Sequence, residues 1–128
     1  VWKPSTVILS AAKGKNGDAG FLSCVVTDVR TGDIIGVLDY KPDTTAYLSL
    51  MMIDGNLQGK GAGTHIFGMF EAEMVRSGNQ AVRIDVVNDY AGNVVSFWEK
   101  QGFVPQKETV LRWGNKTSRA LVMTKSLT

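Results

Sequence analysis

Between residues 58 and 64 the chain reads Gln58-Gly59-Lys60-Gly61-Ala62-Gly63-Thr64. Glycines at this spacing let a backbone approach a phosphate closely and adopt positive φ without a side-chain penalty. An apolar, strand-like run precedes the loop (Ala46 to Ile53), and an apolar-periodic, helix-like run follows it (Ile66 to Val75). A strand that empties through such a loop into a helix aims free N–H groups and a positive dipole end at an anion. The expected chemistry is the binding of a phosphorylated cofactor by the backbone amides of Gly59 to Gly63. Lys60 either adds charge there or is a solvated lysine.

Two common nucleotide loops do not fit the spacing. A Walker-type loop needs four residues between its first glycine and Gly-Lys-Ser/Thr. Here Gly55 to Gly59 leaves three, and Lys60 is followed by Gly61 rather than a hydroxyl residue. A dinucleotide fingerprint needs a further glycine three places after the second. That place is held by Thr64 in one register and by Ile66 in the other.

Several elements must position this loop. Phe21 to Val29 and Ile34 to Tyr40 read as a hairpin around the turn Arg30-Thr31-Gly32-Asp33, and Thr44 to Ile53 as a third strand. Leu48 and Leu50 keep period two but Met51-Met52-Ile53 does not, a slip that predicts a β-bulge just before the loop. After the loop, Ile66, Phe67, Phe70 and Met74 share a helical face, with Gly78 as the stop. Ala81 to Val87 reads as a strand, then a short helix runs to Lys100 with Val94, Val95 and Trp98 inward and Gly102 closing it. Phe103-Val104 and Val110 to Trp113 lead into a last strand, Ser118 to Lys125. The expected order is β-β-β-α-β-α-β-β. Thr6 to Leu9 is a further candidate strand, and Lys13 to Gly20 reads as a loop by composition.

Two blocks in order carry a family resemblance. Gln58-x-x-Gly61-x-Gly63 resembles the acyl-CoA loop of the Gcn5-related N-acetyltransferases, the GNAT superfamily. Val87-Asn88-Asp89-Tyr90-Ala91-Gly92-Asn93, followed by Ser96-Phe97-Trp98-Glu99-Lys100-Gln101-Gly102-Phe103, resembles that family's second motif. The resemblance implies a single α/β (α+β) domain over residues 1–128. Its sheet would be mixed, mostly antiparallel and twisted, with helices on both faces. The family's N-terminal strand and paired helices have no clear counterpart in Val1 to Gly20. Those helices form much of the family's acceptor pocket, so the chain is expected to be truncated, unusually short or completed by another subunit.

The implied activity is transfer of an acetyl group from acetyl-CoA to a primary amine by direct attack through a tetrahedral intermediate. Such a reaction needs a positioned thioester, a stabilised oxyanion and a proton acceptor for the amine. By the resemblance, Met52 and Ile53 offer backbone groups to the pantetheine arm and the thioester oxygen, while Gln58 to Thr64 bind the pyrophosphate. Asn88 and Asn93 are either pantetheine contacts or turn residues chosen for local bonding. Trp98 stands where the family often has a tyrosine, and lies near the sulfur or fills the core. Family members with a catalytic glutamate carry it on the strand before the loop, where this chain has Tyr47 and Ser49. Tyr47, Asp39, Tyr40, Asp54 and a water chain are the alternatives for the base. His65, at the start of the helix, is expected to be exposed or to brush the cofactor, since the dipole disfavours its cation. A non-catalytic acyl-CoA-binding or regulatory module on the same fold is the other reading of the chain.

Composition narrows the partners. The 128 residues suit one domain, and 44% apolar with 20% charged residues is ordinary for a globular protein. A net charge of +2 gives no basis for a nucleic-acid or membrane partner. One cysteine, Cys24, and one histidine make neither a disulfide framework nor a structural zinc site, so no metal is expected. Cys24 is expected in the core. A cytoplasmic location fits, and a homodimer is expected from the open strand edges and short N-terminal half.

Overall fold

Seven strands in the order β1-β2-β3-β4-β5-β7-β6 form one mixed sheet, flanked by two helices. The computed structural model describes residues 3–16 and 20–128, the side chains of 12–16 excepted. The strands are β1 (Val7–Asn16), β2 (Leu22–Asp28), β3 (Asp33–Lys41), β4 (Thr45–Ile53), β5 (Ala81–Val87), β6 (Val104–Trp113) and β7 (Lys116–Ser126). Helix α1 (Ala62–Arg76) follows β4, and α2 (Val95–Lys100) follows β5. β1 extends the candidate Thr6–Leu9 strand as far as Asn16 and pairs antiparallel with β2. The N-terminal strand is therefore present, and Lys13 to Asn16 belong to it rather than to a loop; residues 17–19 lie outside the described residues. The last two strands are longer than their apolar runs suggest: β6, an edge strand, is mostly exposed along its length, and β7 pairs with it as far out as Lys116.

Every neighbouring pair is antiparallel except β4–β5. That parallel pairing is short: Thr45 with Ala81, Ala46 with Val82 and Tyr47 with Arg83. Beyond Tyr47 and Arg83 the two strands continue without pairing and leave a fork in the sheet. β5 meanwhile stays bonded to β7 through Val87, and β4 stays bonded to β3 through Ile53.

β4 carries the bulge, at Ser49 rather than at the later slip the sequence suggests. Asp39 pairs with Leu50 and Tyr40 with Leu48, so Ser49 is the extra residue. Its effect is a change of phase. Ala46 and Leu48 are buried before it; after it Met51 and Ile53 pack on the core while Leu50 and Met52 are exposed. The Met51-Met52-Ile53 run looks aperiodic because the period restarts there.

α1 buries Ile66, Phe67, Phe70 and Met74, the predicted face, in one core with Val26, Leu38, Leu48, Val82 and Ile84 of the sheet. Its end is a Schellman motif. Gly78 at φ 85 donates its N–H to Val75 C=O, and Asn79 donates to Met74 C=O. α2 ends the same way. Gly102 at φ 100 donates to Glu99 C=O and Phe103 to Trp98 C=O. The hydrophobic contact that accompanies this motif is Phe103 on Trp98, ring centroids 5.3 Å apart. The aromatic-Glu-Lys-x-Gly-Phe block is, physically, a helix stop with its apolar clasp.

Candidate active site

The glycine loop, the end of β4 and α2 enclose a cleft of about 680 Å³, lined by Met51, Ile53, Leu57, Gln58, Gly59, Gly61, Gly63 and Thr64 on one side. Val94, Phe97, Trp98, Lys100 and Gln101 close it from α2. Gly59 and Gly61 sit at φ 77 and 80, where other residues are strained. Gly63 is needed for a different reason: a Cβ there would lie 3.2 Å from the Phe97 ring. The loop glycines thus serve two ends, backbone shape and the close approach of α2.

Gly61 is the N-cap of α1 and offers no side-chain cap. The His65 N–H bonds Gly61 C=O at 3.2 Å, so Ala62, Gly63 and Thr64 precede that bond and their amides have no intrahelical acceptor. No acidic residue stands in the first turn. This end of α1 has the character of an anion site, and it opens into the cleft at Gly61, Gly63 and Thr64. Lys60 is exposed and does not line the cleft, and Ala62 is buried beneath it. The cleft's own cation is Lys100, which the sequence reading did not single out. Gln101, also passed over, donates from Nε2 to Thr64 Oγ1 at 3.1 Å and so clips α2 to the loop.

The fork supplies the cleft's other end. Asp54 N–H bonds Ile35 C=O on β3 at 2.8 Å. Backbone groups alternate along a strand, so Met52 also faces β3 while Ile53 and Met51 face the fork. Ile53 lines the cleft. Met52 turns its side chain, 59% exposed, to the outer face, and the second fork-facing residue is Met51. Counting back by two from Ile53 would have found it.

The remaining candidates are placed as follows. Asn93 is engaged locally: its Oδ1 accepts from Val95 N–H at 3.1 Å and its Nδ2 donates to Tyr90 C=O at 3.2 Å. Asn88 donates its backbone N–H to Arg119 C=O, and neither asparagine lines the cleft. Trp98 is 8% exposed and packs edge-on to Phe67 and Phe103, so it fills the core with one edge in the cleft. Val94, expected inward, is 46% exposed. Asp54 accepts from Asn56 N–H within its own turn, and Asp39 accepts from Ser23 Oγ at 2.6 Å. Tyr40 packs on Phe70 in the core, and burial pushes its pKa up. Burial likewise pushes the Cys24 thiol up, and its half-buried side chain packs against the core. Tyr47 stands at the fork itself, donating to Asp85 Oδ2 at 3.3 Å.

A split mixed sheet with a helix N-terminus and a glycine loop at the mouth of the split defines an α/β domain with a cleft at its open end. The family is shown by sequence: a family model described as an acetyltransferase (GNAT) domain matches residues 10–127, and the chain belongs to that family. A search of the curated proteins finds no match. Among solved structures the fold is similar to spermidine/spermine N-acetyltransferase from Vibrio cholerae, with a TM-score of 0.79, 15% identity, and 97% of this chain and 94% of that one covered. It is also similar to the ribosomal-protein-S18-alanine N-acetyltransferase from Escherichia coli (TM-score 0.75, 14% identity, 95% and 94% covered). A third likeness is to nourseothricin acetyltransferase (TM-score 0.71, 12% identity, 96% and 85% covered).

Proposed function

We propose that the protein is an N-acetyltransferase that passes the acetyl group of acetyl-CoA to a primary amine by direct attack. The observation that carries this reading is the fork. β4–β5 pairing stops at Tyr47 and Arg83, and the fork-facing strand end runs into a cleft whose far end is the glycine loop. Such a cleft suits a long thin substrate with an anionic end and an apolar arm. The amides of Gly59 to Thr64 would hold the pyrophosphate, with Lys100 near it. Ile53 and Met51 would bond the pantetheine arm as a strand would, and an N–H aimed into the fork would stabilise the oxyanion. An amine attacking from within the fork forms the C–N bond as the thioester C=O opens to a tetrahedral oxyanion, and the C–S bond breaks when that oxyanion collapses. The nitrogen's proton leaves and the thiolate is protonated. Small polyamines, antibiotics and peptide amines are the acceptors named for the structural neighbours, and an amine of one of these kinds is the acceptor class here. A cytoplasmic homodimer is the setting this reading carries.

A non-catalytic acyl-CoA-binding module is favoured by one observation: no acid or histidine lines the cleft among the described residues. Calorimetric titration with acetyl-CoA, then a thiol-release assay over an amine panel, separates the two. Binding with amine-dependent thiol release supports the enzyme, and binding without release supports the module. Absence of binding sinks both. Gly63→Ala, which presses on Phe97, is the control expected to weaken acetyl-CoA binding while the chain stays folded.

A further inference from the structure

The sheet face that carries Leu50 and Met52 holds a polar cluster at the vertex of the fork. Tyr47 belongs to the last β4–β5 pair, opposite Arg83. Asp85 lies two residues further along β5, past the point where the strands bond. The Tyr47 hydroxyl donates to Asp85 Oδ2 at 3.3 Å, so the side chain reaches diagonally across the opening. Arg83 holds the same carboxylate in a fork of its own, Nε to Oδ1 at 2.9 Å and a terminal nitrogen to Oδ2 at 3.0 Å. Its guanidinium also lies 5.4 Å from the centre of the Tyr47 ring. Phe21 packs edge-on to that ring at 6.1 Å. The Asp85 side chain is 6% exposed and the Arg83 side chain 42%, so the carboxylate is sealed in while the pair remains reachable.

A phenol whose proton is committed to a carboxylate presents its lone pairs to any further neighbour. Burial, and then the charge of Asp85, push the Tyr47 pKa up, so the group stays a neutral phenol. Arg83 and Asp85 offset each other's charge. The Tyr47 oxygen is therefore a fixed, neutral hydrogen-bond acceptor at the fork, which suits an N–H donor.

We infer that Tyr47 Oη accepts a hydrogen bond from the nitrogen of a primary amine entering the fork from this face. Asp85 is the positioning residue that fixes the hydroxyl, and Arg83 fixes Asp85. The inference rests on the acyl-CoA reading above, which brings the thioester into the same opening from the cleft side.

The test uses Tyr47→Phe, which removes the oxygen and keeps the ring on Phe21 and Arg83, and Asp85→Asn as a second variant. The probes are acetyl-CoA with spermidine, with an alanine-terminated peptide and with nourseothricin. The expected result for Tyr47→Phe is unchanged acetyl-CoA affinity and melting temperature. Its kcat/KM for the amine should fall about tenfold, the size of one lost hydrogen bond. Asp85→Asn should lower the same constant. Amine kcat/KM equal to wild type in Tyr47→Phe overturns this inference alone. A parallel loss of acetyl-CoA affinity and stability would mean a structural role and also overturns it. Failure of the wild type to turn over any of the three amines overturns the enzyme reading together with this one, and failure to bind acetyl-CoA overturns the acyl-CoA-binding module as well.

Discussion

Single side chains in this protein are read best by asking where their hydrogen bonds go. Asp28 shows this away from the cleft. Its carboxylate takes Arg30 Nε at 3.1 Å, a terminal guanidinium nitrogen at 2.7 Å and the Arg30 backbone N–H at 3.0 Å. The Arg30 side chain is the larger cause, the backbone bond a smaller one, and together they lower the Asp28 pKa from 3.8 to about 2. A carboxyl that is more acidic when folded stabilises the fold above its unfolded pKa. That contribution is lost as pH falls through the folded value. Asp28→Asn should therefore flatten the drop in melting temperature between pH 4 and pH 2 without changing its slope above pH 5. Scans of both proteins across that window check it. The same accounting separates the site candidates. Asn93 and Asp54 have local partners within their own turns, whereas Tyr47 has one across the fork.

At the scale of elements, the turns of α1 and α2 were largely legible because their chemistry is local. Gly78 and Gly102 stop helices that apolar spacing had already located, and Phe103 completes the second stop. The two glycines differ in surroundings. A Cβ at Gly78 meets nothing within 4 Å, whereas one at Gly102 lies 3.2 Å from Lys125 Cε, and Lys125 is tied to Glu71 at 2.5 Å. A left-handed alanine costs roughly 1–2 kcal/mol by itself. Gly102→Ala should thus lower the denaturant midpoint more than Gly78→Ala, with equal m-values in urea titrations. What was not legible is pairing that depends on distant segments. The bulge at Ser49 is defined by its register against Asp39 and Tyr40 on β3. Which backbone groups face the fork, those of Met51 and Ile53, likewise follows from the register of β4 on β3. β1 was only partly visible, since an edge strand shows half an alternation and Lys13 to Asn16 lack one.

For the whole molecule, the order of strands matters more than any one of them. β1 to β4 form one antiparallel set and β5, β7 and β6 another, and within the sheet three residue pairs join them. The glycine loop, legible from the start, gains its meaning from standing at the open end of that join. The amides of Met51 and Ile53 should exchange with solvent faster than those of Met52 and Asp54, which face β3. Added acetyl-CoA should slow the first pair and leave the second unchanged. Residue-resolved amide exchange with and without acetyl-CoA checks this, and equal rates for both pairs would contradict the fork.

The short parallel seam also has a consequence in time. β2–β3, β3–β4 and β6–β7 close through short turns, but Tyr47 meets Arg83 only after the chain has passed through the loop and α1. Such a contact must wait for a long closure and forms late. A molecule lodged in the fork grips both halves across a contact absent from the folding transition state. It should then act on the lifetime of the folded protein more than on its formation. In stopped-flow traces, acetyl-CoA should slow unfolding and leave the refolding limb where it was.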